Sequence, residues 1–361
     1  MVSFTSITKG AFLVSAMMLS LASATTAEDD TAGVRTDLPP LIPSRVQPAP
    51  ITQKSIFGSD RVLAIERTED VRPNSFQGMD MEISADAPPF AQFINSSSVM
   101  SATEAQIQQF KLFAAVASTA YCRTVVPNGS WSCKNCLEYI PDGQLLTTFG
   151  SILSDTSGLV IRSDAQKTIH LVFRGTNSIR QSIVDLIFIQ KDYPPVPGAK
   201  IHSGFYDSYK ENLDQYFSLV QEQLTEHPDY NIVISGHSLG GAQALLAGLN
   251  LYQRDERVTP DNLKIYTVGG PRVGNPEFAH YVSSTNIPFF RSVGRRDIVP
   301  HLPPQILGYL HAGVESWETS GEEVRVCTST IETDECSNSI IPFTSFLDHL
   351  TYYNLNEGLC Q

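Results

Sequence analysis

The run NIVISGHSLGGAQALLAGLNLYQ, residues 231–253, decides the fold class. It opens on Ile232, Val233 and Ile234, residues that favour an extended, buried strand. It closes on alanines and leucines, which favour a helix. Between them stands Gly236-His237-Ser238-Leu239-Gly240, a G-x-S-x-G pattern in the strand–turn–helix context that a nucleophile elbow requires. In such an elbow Ser238 sits at a strained turn that exposes its hydroxyl, and the flanking glycines remove the Cβ atoms that would collide there. The plainer alternative is a Gly-rich turn whose serine only caps the following helix.

Outward from this run the texture is α/β. TIHLVFRG (168–175), LKIYTVGG (263–270) and IPFFRSVG (287–294) read as strands, with helical stretches at 207–225 and 239–253. SATEAQIQQFKLFAAVASTAY (101–121) places Ile107, Phe110, Ala114 and Ala117 at helical spacing, with a capping box expected at Ser101 and Glu104. Strands alternating with helices predict a predominantly parallel or mixed sheet covered on both faces. No internal repeat, G-x-G-x-x-G or phosphate loop occurs, so nucleotide cofactors have no support and no cofactor is expected.

The chain has 361 residues and a net charge of −13, which argues against a nucleic-acid partner. Lys9 precedes the apolar run AFLVSAMMLSLASA, too short to span a bilayer and ending in small residues, so residues 1–24 read as a signal peptide and the protein as secreted and extracellular. Residues 25–95 carry 11 acids against 6 bases, no cysteine and no histidine, and contain DLPPLIPSRVQPAP. They read as a pro-segment or linker preceding a catalytic domain at 96–361, with no dibasic pair to mark a processing site. Six cysteines behind a signal peptide suggest three disulfides, and Cys133-x-x-Cys136 has no second pair with which to build a zinc site, so no metal is expected. Glycosylation acceptor patterns stand at Asn95 and Asn128.

A serine hydroxyl needs a base to take its proton and an acid to orient that base, in the chain order Ser, Asp or Glu, His. Asp297 follows the strand-like run 287–294 and would reach the same sheet edge as Ser238. Of the later histidines, His301 is too close to Asp297 to swing back, and His311 reads as a core or turn residue. His349 has enough chain to approach from another loop and is the favoured base, with its neighbour Asp348 serving locally and His237 packing or lining the pocket. Oxyanion donors are expected from the N–H of Leu239, after the nucleophile, and from Thr176, at the end of an earlier strand. Thr176 also begins TNSIRQSIVDLIF (176–188), an amphipathic stretch with Ile179, Ile183, Leu186 and Ile187 on one face.

YCRTVVP, VFRGTNSIR, GHSLGGAQALLAGLNLYQR, TVGGPRVGNP, RDIVPHLPP, CSNSIIPFTSFLDH and the terminal NEGLC together are specific. From about Thr103 to the C-terminus the chain resembles the filamentous-fungal triacylglycerol lipases of the Rhizopus and Rhizomucor type. The resemblance implies an α/β-hydrolase-type fold with a short helical lid, and a secreted serine ester hydrolase with Ser238 as nucleophile, Asp297 as acid and His349 as base. It implies Thr176 and Leu239 as oxyanion donors and SIRQSIVDLIF as the lid, displaced at an oil–water interface. It implies pairing of Cys122 with Cys360, Cys133 with Cys136 and Cys327 with Cys336, and pocket walls near Tyr121, Phe188, Val299, Phe346 and Leu350. The expected partners are triglyceride and its lipid–water interface, met by a monomeric chain. One departure is Ser182, where some lids of the family carry tryptophan. The alternatives are a phospholipase A1 or feruloyl-type carboxylesterase on the same fold, and a binding protein built on a dead hydrolase. The Ile-rich stretch and the intact Ser238, Asp297 and His349 argue against the last two.

Overall fold

In the computed structural model, the described residues are 38–47, 98–122, 125, 130–151, 155–176 and 188–360. The lid residues Ile179, Ser182, Ile183, Leu186 and Ile187, the signal peptide, and Asn95 and Asn128 lie outside them.

The two buried faces of the sheet follow from side-chain alternation in its most apolar runs. In β7 (Asn231–His237) Ile232 and Ile234 join one buried cluster and Val233 the other, as a period of two requires of a sheet covered on both faces. β7 lies parallel between β4 (Thr168–Arg174) and β8 (Leu263–Val268); β8 pairs in parallel with β9 (Phe289–Gly294), and β9 with β10 (Val314–Ser320). Antiparallel strands finish both edges: β3 (Thr156–Ser163) and β2 (Gln144–Ser151) on the β4 side, β11 (Glu323–Cys327) and β1 (Val99–Ser101) beyond β10. The nine-stranded sheet runs β1-β11-β10-β9-β8-β7-β4-β3-β2, a mixed sheet with a parallel centre, as the α/β expectation has it, while β5 (Gln190–Asp192) and β6 (Lys200–His202) pair antiparallel outside it.

One face packs against α1 (Glu104–Thr119), whose Phe110 and Phe113 meet Tyr266 and Phe290. α1 starts two residues later than the expected box: Thr103 Oγ1 accepts from the Gln106 N–H and Gln106 Oε1 accepts from the Thr103 N–H. Ser101 is unavailable as a cap because it is the last residue of β1, paired with Arg325. α2 (Lys134–Tyr139) packs beside α1. The other face carries α3 (Ser203–Glu226), α4 (Leu239–Arg254) and α5 (Pro276–Ser284). α3 begins four residues ahead of the predicted 207, because His202 Nδ1 caps it by accepting from the Phe205 N–H. The disulfides join Cys122–Cys360, Cys133–Cys136 and Cys327–Cys336. Residues 38–47 belong to the same compact unit as the sheet and helices. Among the described residues no helix is long and apolar enough to cross a membrane.

Candidate active site

β7 delivers Ser238 to the N-terminus of α4 with φ 58° and ψ −130°, a backbone that non-glycine residues seldom adopt. The Ser238 N–H is held by the Val268 carbonyl (2.9 Å), and the Gly241 N–H by the Ser238 carbonyl (2.8 Å). Both motif glycines are required by contact: a Cβ on Gly236 would lie 2.2 Å from the Gly240 carbonyl oxygen, and one on Gly240 2.4 Å from that of Phe173. The close approach of Gly240 to Phe173 brings the end of β4, with Gly175 and Thr176, alongside the elbow. A Cβ on Gly175 would sit 2.9 Å from Ser238 Cβ.

Asp297, beyond the end of β9, is fully buried. Its Oδ2 accepts from His349 Nδ1 (2.7 Å) and from the Tyr352 hydroxyl, and its Oδ1 from the Val299 N–H (2.8 Å). These donors place the His349 proton on Nδ1, leaving Nε2 with its lone pair. Nε2 is buried without a partner among the described residues, and no hydrogen bond joins it to Ser238 Oγ. Catalytic hydrogen bonds in unliganded enzymes are often long and close only around substrate. The neighbourhood is nevertheless shared, because the ring of His237, adjacent to Ser238 in the chain, stacks on His349 with centroids 4.6 Å apart.

His237 does more than pack. Its Nε2 donates to the His349 carbonyl (3.1 Å), which assigns Nδ1 as the acceptor of the Tyr121 hydroxyl (2.8 Å). The Tyr121 oxygen accepts in turn from the Gly175 N–H (3.1 Å). One polar chain therefore links the loop before Thr176 to the backbone of His349. Burial pushes His237 well below the ordinary imidazole range and the Tyr121 hydroxyl up, so both stay neutral.

Thr176 is buried, and its hydroxyl donates to Asp155 Oδ2 (3.0 Å), a carboxylate also held by Arg174 (3.0 Å). Leu239 opens α4, where the first-turn N–H groups have no partner within the helix. Of the five expected pocket walls, Phe188, Val299, Phe346 and Leu350 gather in one apolar cluster with Ile298 and Leu302. Phe346 lies 6.4 Å from His349, ring to ring. Tyr121 stands apart, on the His237 side. His301 turns to Asn338 (3.0 Å) and His311 to the Pro300 carbonyl (2.8 Å), in a separate network around the buried Arg272–Glu332 pair. Asp348 serves locally, accepting from the Arg296 N–H (3.1 Å). Sequence reasoning passed over Tyr352 and Asp155, and it gave His237 and Tyr121 simpler roles. Tyr121 and His237 lie within sequence motifs, but the partners through which all four act are distant in the chain and leave no local mark.

Residues 170–307 match the family described as Lipase (class 3). Over its full length the chain is 51% identical to a lipase of Rhizopus niveus, all of which it covers. The chain belongs to the class 3 lipases. Among solved structures, this lipase is similar to a Rhizomucor miehei lipase–propeptide complex (44% identity, TM-score 0.76, 90% of this chain and 100% of that one). It is also similar to a triacylglycerol lipase whose catalytic centre is described as a serine protease triad (49% identity, TM-score 0.71, 73% of this lipase and 100% of that chain).

Proposed function

We propose that the protein hydrolyses triacylglycerols at a lipid–water interface through an acyl-serine, with Ser238 as nucleophile, His349 as base and Asp297 as the acid that orients it. The observation that carries this reading is the 2.7 Å bond from His349 Nδ1 to the buried Asp297 carboxylate, beside a serine held at an elbow of φ 58°. His349 Nε2 takes the Ser238 proton as Oγ attacks the ester carbonyl, then gives it to the departing glyceride oxygen. Water activated by the same nitrogen releases the fatty acid. The N–H groups of Thr176 and Leu239 hold the negative oxygen, each such donor contributing roughly 10²–10³ in rate. The Phe188, Val299, Phe346 and Leu350 cluster would receive the acyl chain.

The apolar face of 176–188 would cover this cleft in water, since exposing an aliphatic side chain costs about 1.5–3 kcal/mol, and would pass to the lipid surface when one is present. Secretion, with residues 1–24 removed and 25–95 as a pro-segment, completes the reading. It is supported by the Rhizomucor miehei propeptide complex and by relatives such as a secreted mono- and diacylglycerol lipase of Fusarium solani.

On emulsified triglyceride, Ser238→Ala and His349→Ala should each lose at least about 10³ in kcat, while His301→Ala stays within about tenfold. The unaltered enzyme should rise in rate as substrate passes its solubility limit. Full activity in Ser238→Ala would end the assignment, and a smooth saturation curve through that limit would end the covering role of 176–188.

A further inference from the structure

The end of α4 remote from Ser238 is a second built site. There Arg45, within the short 3-10 turn Pro43–Arg45, places its guanidinium among main-chain carbonyls of the catalytic domain. Nη1 donates to the carbonyls of Tyr252 (2.6 Å), Asp255 (2.8 Å) and Val258 (2.8 Å), and Nη2 to that of Glu256 (3.0 Å). The guanidinium also lies over the Tyr252 ring, 4.6 Å from its centroid. The last carbonyls of a helix have no partner within it and sit at the negative end of its dipole, so a cation is favoured there. The turn after α4, closed by the Val258 N–H on the Asp255 carbonyl (3.0 Å), adds three more acceptors.

The domain presents this site with groups it has already fixed. Gln253 and Tyr281 are buried; Tyr193 donates to Gln253 Oε1 (3.0 Å), Gln253 Nε2 donates to the Tyr281 hydroxyl (2.6 Å), and that hydroxyl donates to the Arg45 carbonyl (2.7 Å). The Ile42 N–H adds a bond to the Gln253 carbonyl (2.8 Å), Arg254 donates to the Pro39 carbonyl, and Leu38 packs on the core. Pro39, Pro40 and Pro43 reduce what the free segment loses on ordering.

We propose that the carbonyl cage closing α4 is a binding site for an arginine of the chain's own N-terminal segment, holding residues 38–47 to the domain after the chain between 48 and 97 is cut. The ligand class is a guanidinium on a proline-rich extended peptide. A lysine cannot fill the cage, because one ammonium cannot reproduce the two-nitrogen fork that these carbonyls receive. The 16 residues of α4 separate the cage from Ser238 by roughly 24 Å, so occupancy does not itself obstruct ester hydrolysis. The inference rests on residues 25–95 being a pro-segment, but its test does not need the natural cleavage site.

A site-specific protease sequence placed between 60 and 65 in the full chain, then cut in solution, supplies the two pieces. Native mass spectrometry should find the N-terminal fragment still on the domain. Arg45→Ala and Arg45→Lys should weaken retention at least tenfold, with hydrolysis of a soluble ester unchanged. In the uncut chain, Arg45→Ala should speed hydrogen exchange of the turn at 255–258, and Tyr281→Phe should loosen the segment without altering the cage. Prompt loss of the fragment from an active, unaltered domain, or equal retention by Arg45→Ala, would overturn the docking site and leave the hydrolase reading intact. An inactive Ser238 enzyme with firm retention would do the reverse, and secreted protein that keeps residues 25–95 uncut would remove the pro-segment reading and with it the retention after cleavage.

Discussion

At the scale of single residues, the polar chain from Gly175 through Tyr121 and His237 to the His349 carbonyl ties two halves of the proposed mechanism together. Tyr121→Phe deletes the acceptor of the Gly175 N–H and the donor to His237 Nδ1 at once. An unsatisfied buried polar group costs about 1–3 kcal/mol. If that cost falls on the oxyanion loop, kcat drops about tenfold with KM little changed. A loss confined to KM would instead return Tyr121 to the role of a substrate wall. Ser238 and Asp297 stand out in the sequence as candidates because the elbow is a local motif and a strand end carries the acid, whereas His349 is favoured by chain length and singled out by the family resemblance. Tyr121 and His237 lie 116 positions apart, and Tyr352 and Asp297 lie 55 apart, so neither pairing leaves a local trace.

At the scale of elements, α4 is held against β4 so tightly that position 240, in its first turn, tolerates no side chain. Gly240→Ala would set a Cβ 2.4 Å from the Phe173 carbonyl oxygen and 2.8 Å from the Arg174 carbonyl carbon, neither of which can yield without moving the strand that carries Thr176. A destabilisation of about 1–3 kcal/mol, with a fall in activity beyond it, should appear in urea unfolding and in assays on the folded fraction. Gly248→Ala, in the same helix, meets the flexible Ile265 Cδ1 instead (2.5 Å) and gains up to about 1 kcal/mol of helix propensity, so its stability should stay close to that of the parent. Equal damage from both would mean that α4 is not pinned at its start. The buried central strands were readable as apolar runs. β10, VESWETS, was not, since its polar side chains are buried through partners: Glu315 meets Arg291, Ser316 meets Ser292, and Glu318 accepts from the Tyr353 N–H.

At the scale of the whole molecule, the −13 charge says less about stability than the histidines do. His170, His237, His301 and His311 are buried, and desolvation holds each imidazole below its ordinary value, His170 at about 4. The unfolded chain therefore takes up protons first as pH falls. The contribution is complete above about 6.5 and is lost on acidification toward the folded values. His170, on β4 against Phe113, has neither ring nitrogen hydrogen-bonded among the described residues, and protonation should withdraw roughly 3 kcal/mol through it alone. His170→Leu should lose less stability than the parent between pH 6.5 and 4.5 in urea titrations. A parallel decline in both proteins would place the acid sensitivity elsewhere.

The Cys122–Cys360 bond joins the end of the α1 region to the last residues of the chain. Everything between them, including 176–188 and all three proposed triad residues, lies within one covalent ring. A single proteolytic nick anywhere in that ring opens it without dividing it. The nicked protein would run as one band until reduced, and an enzyme of unchanged apparent size would conceal a break in the chain at 176–188.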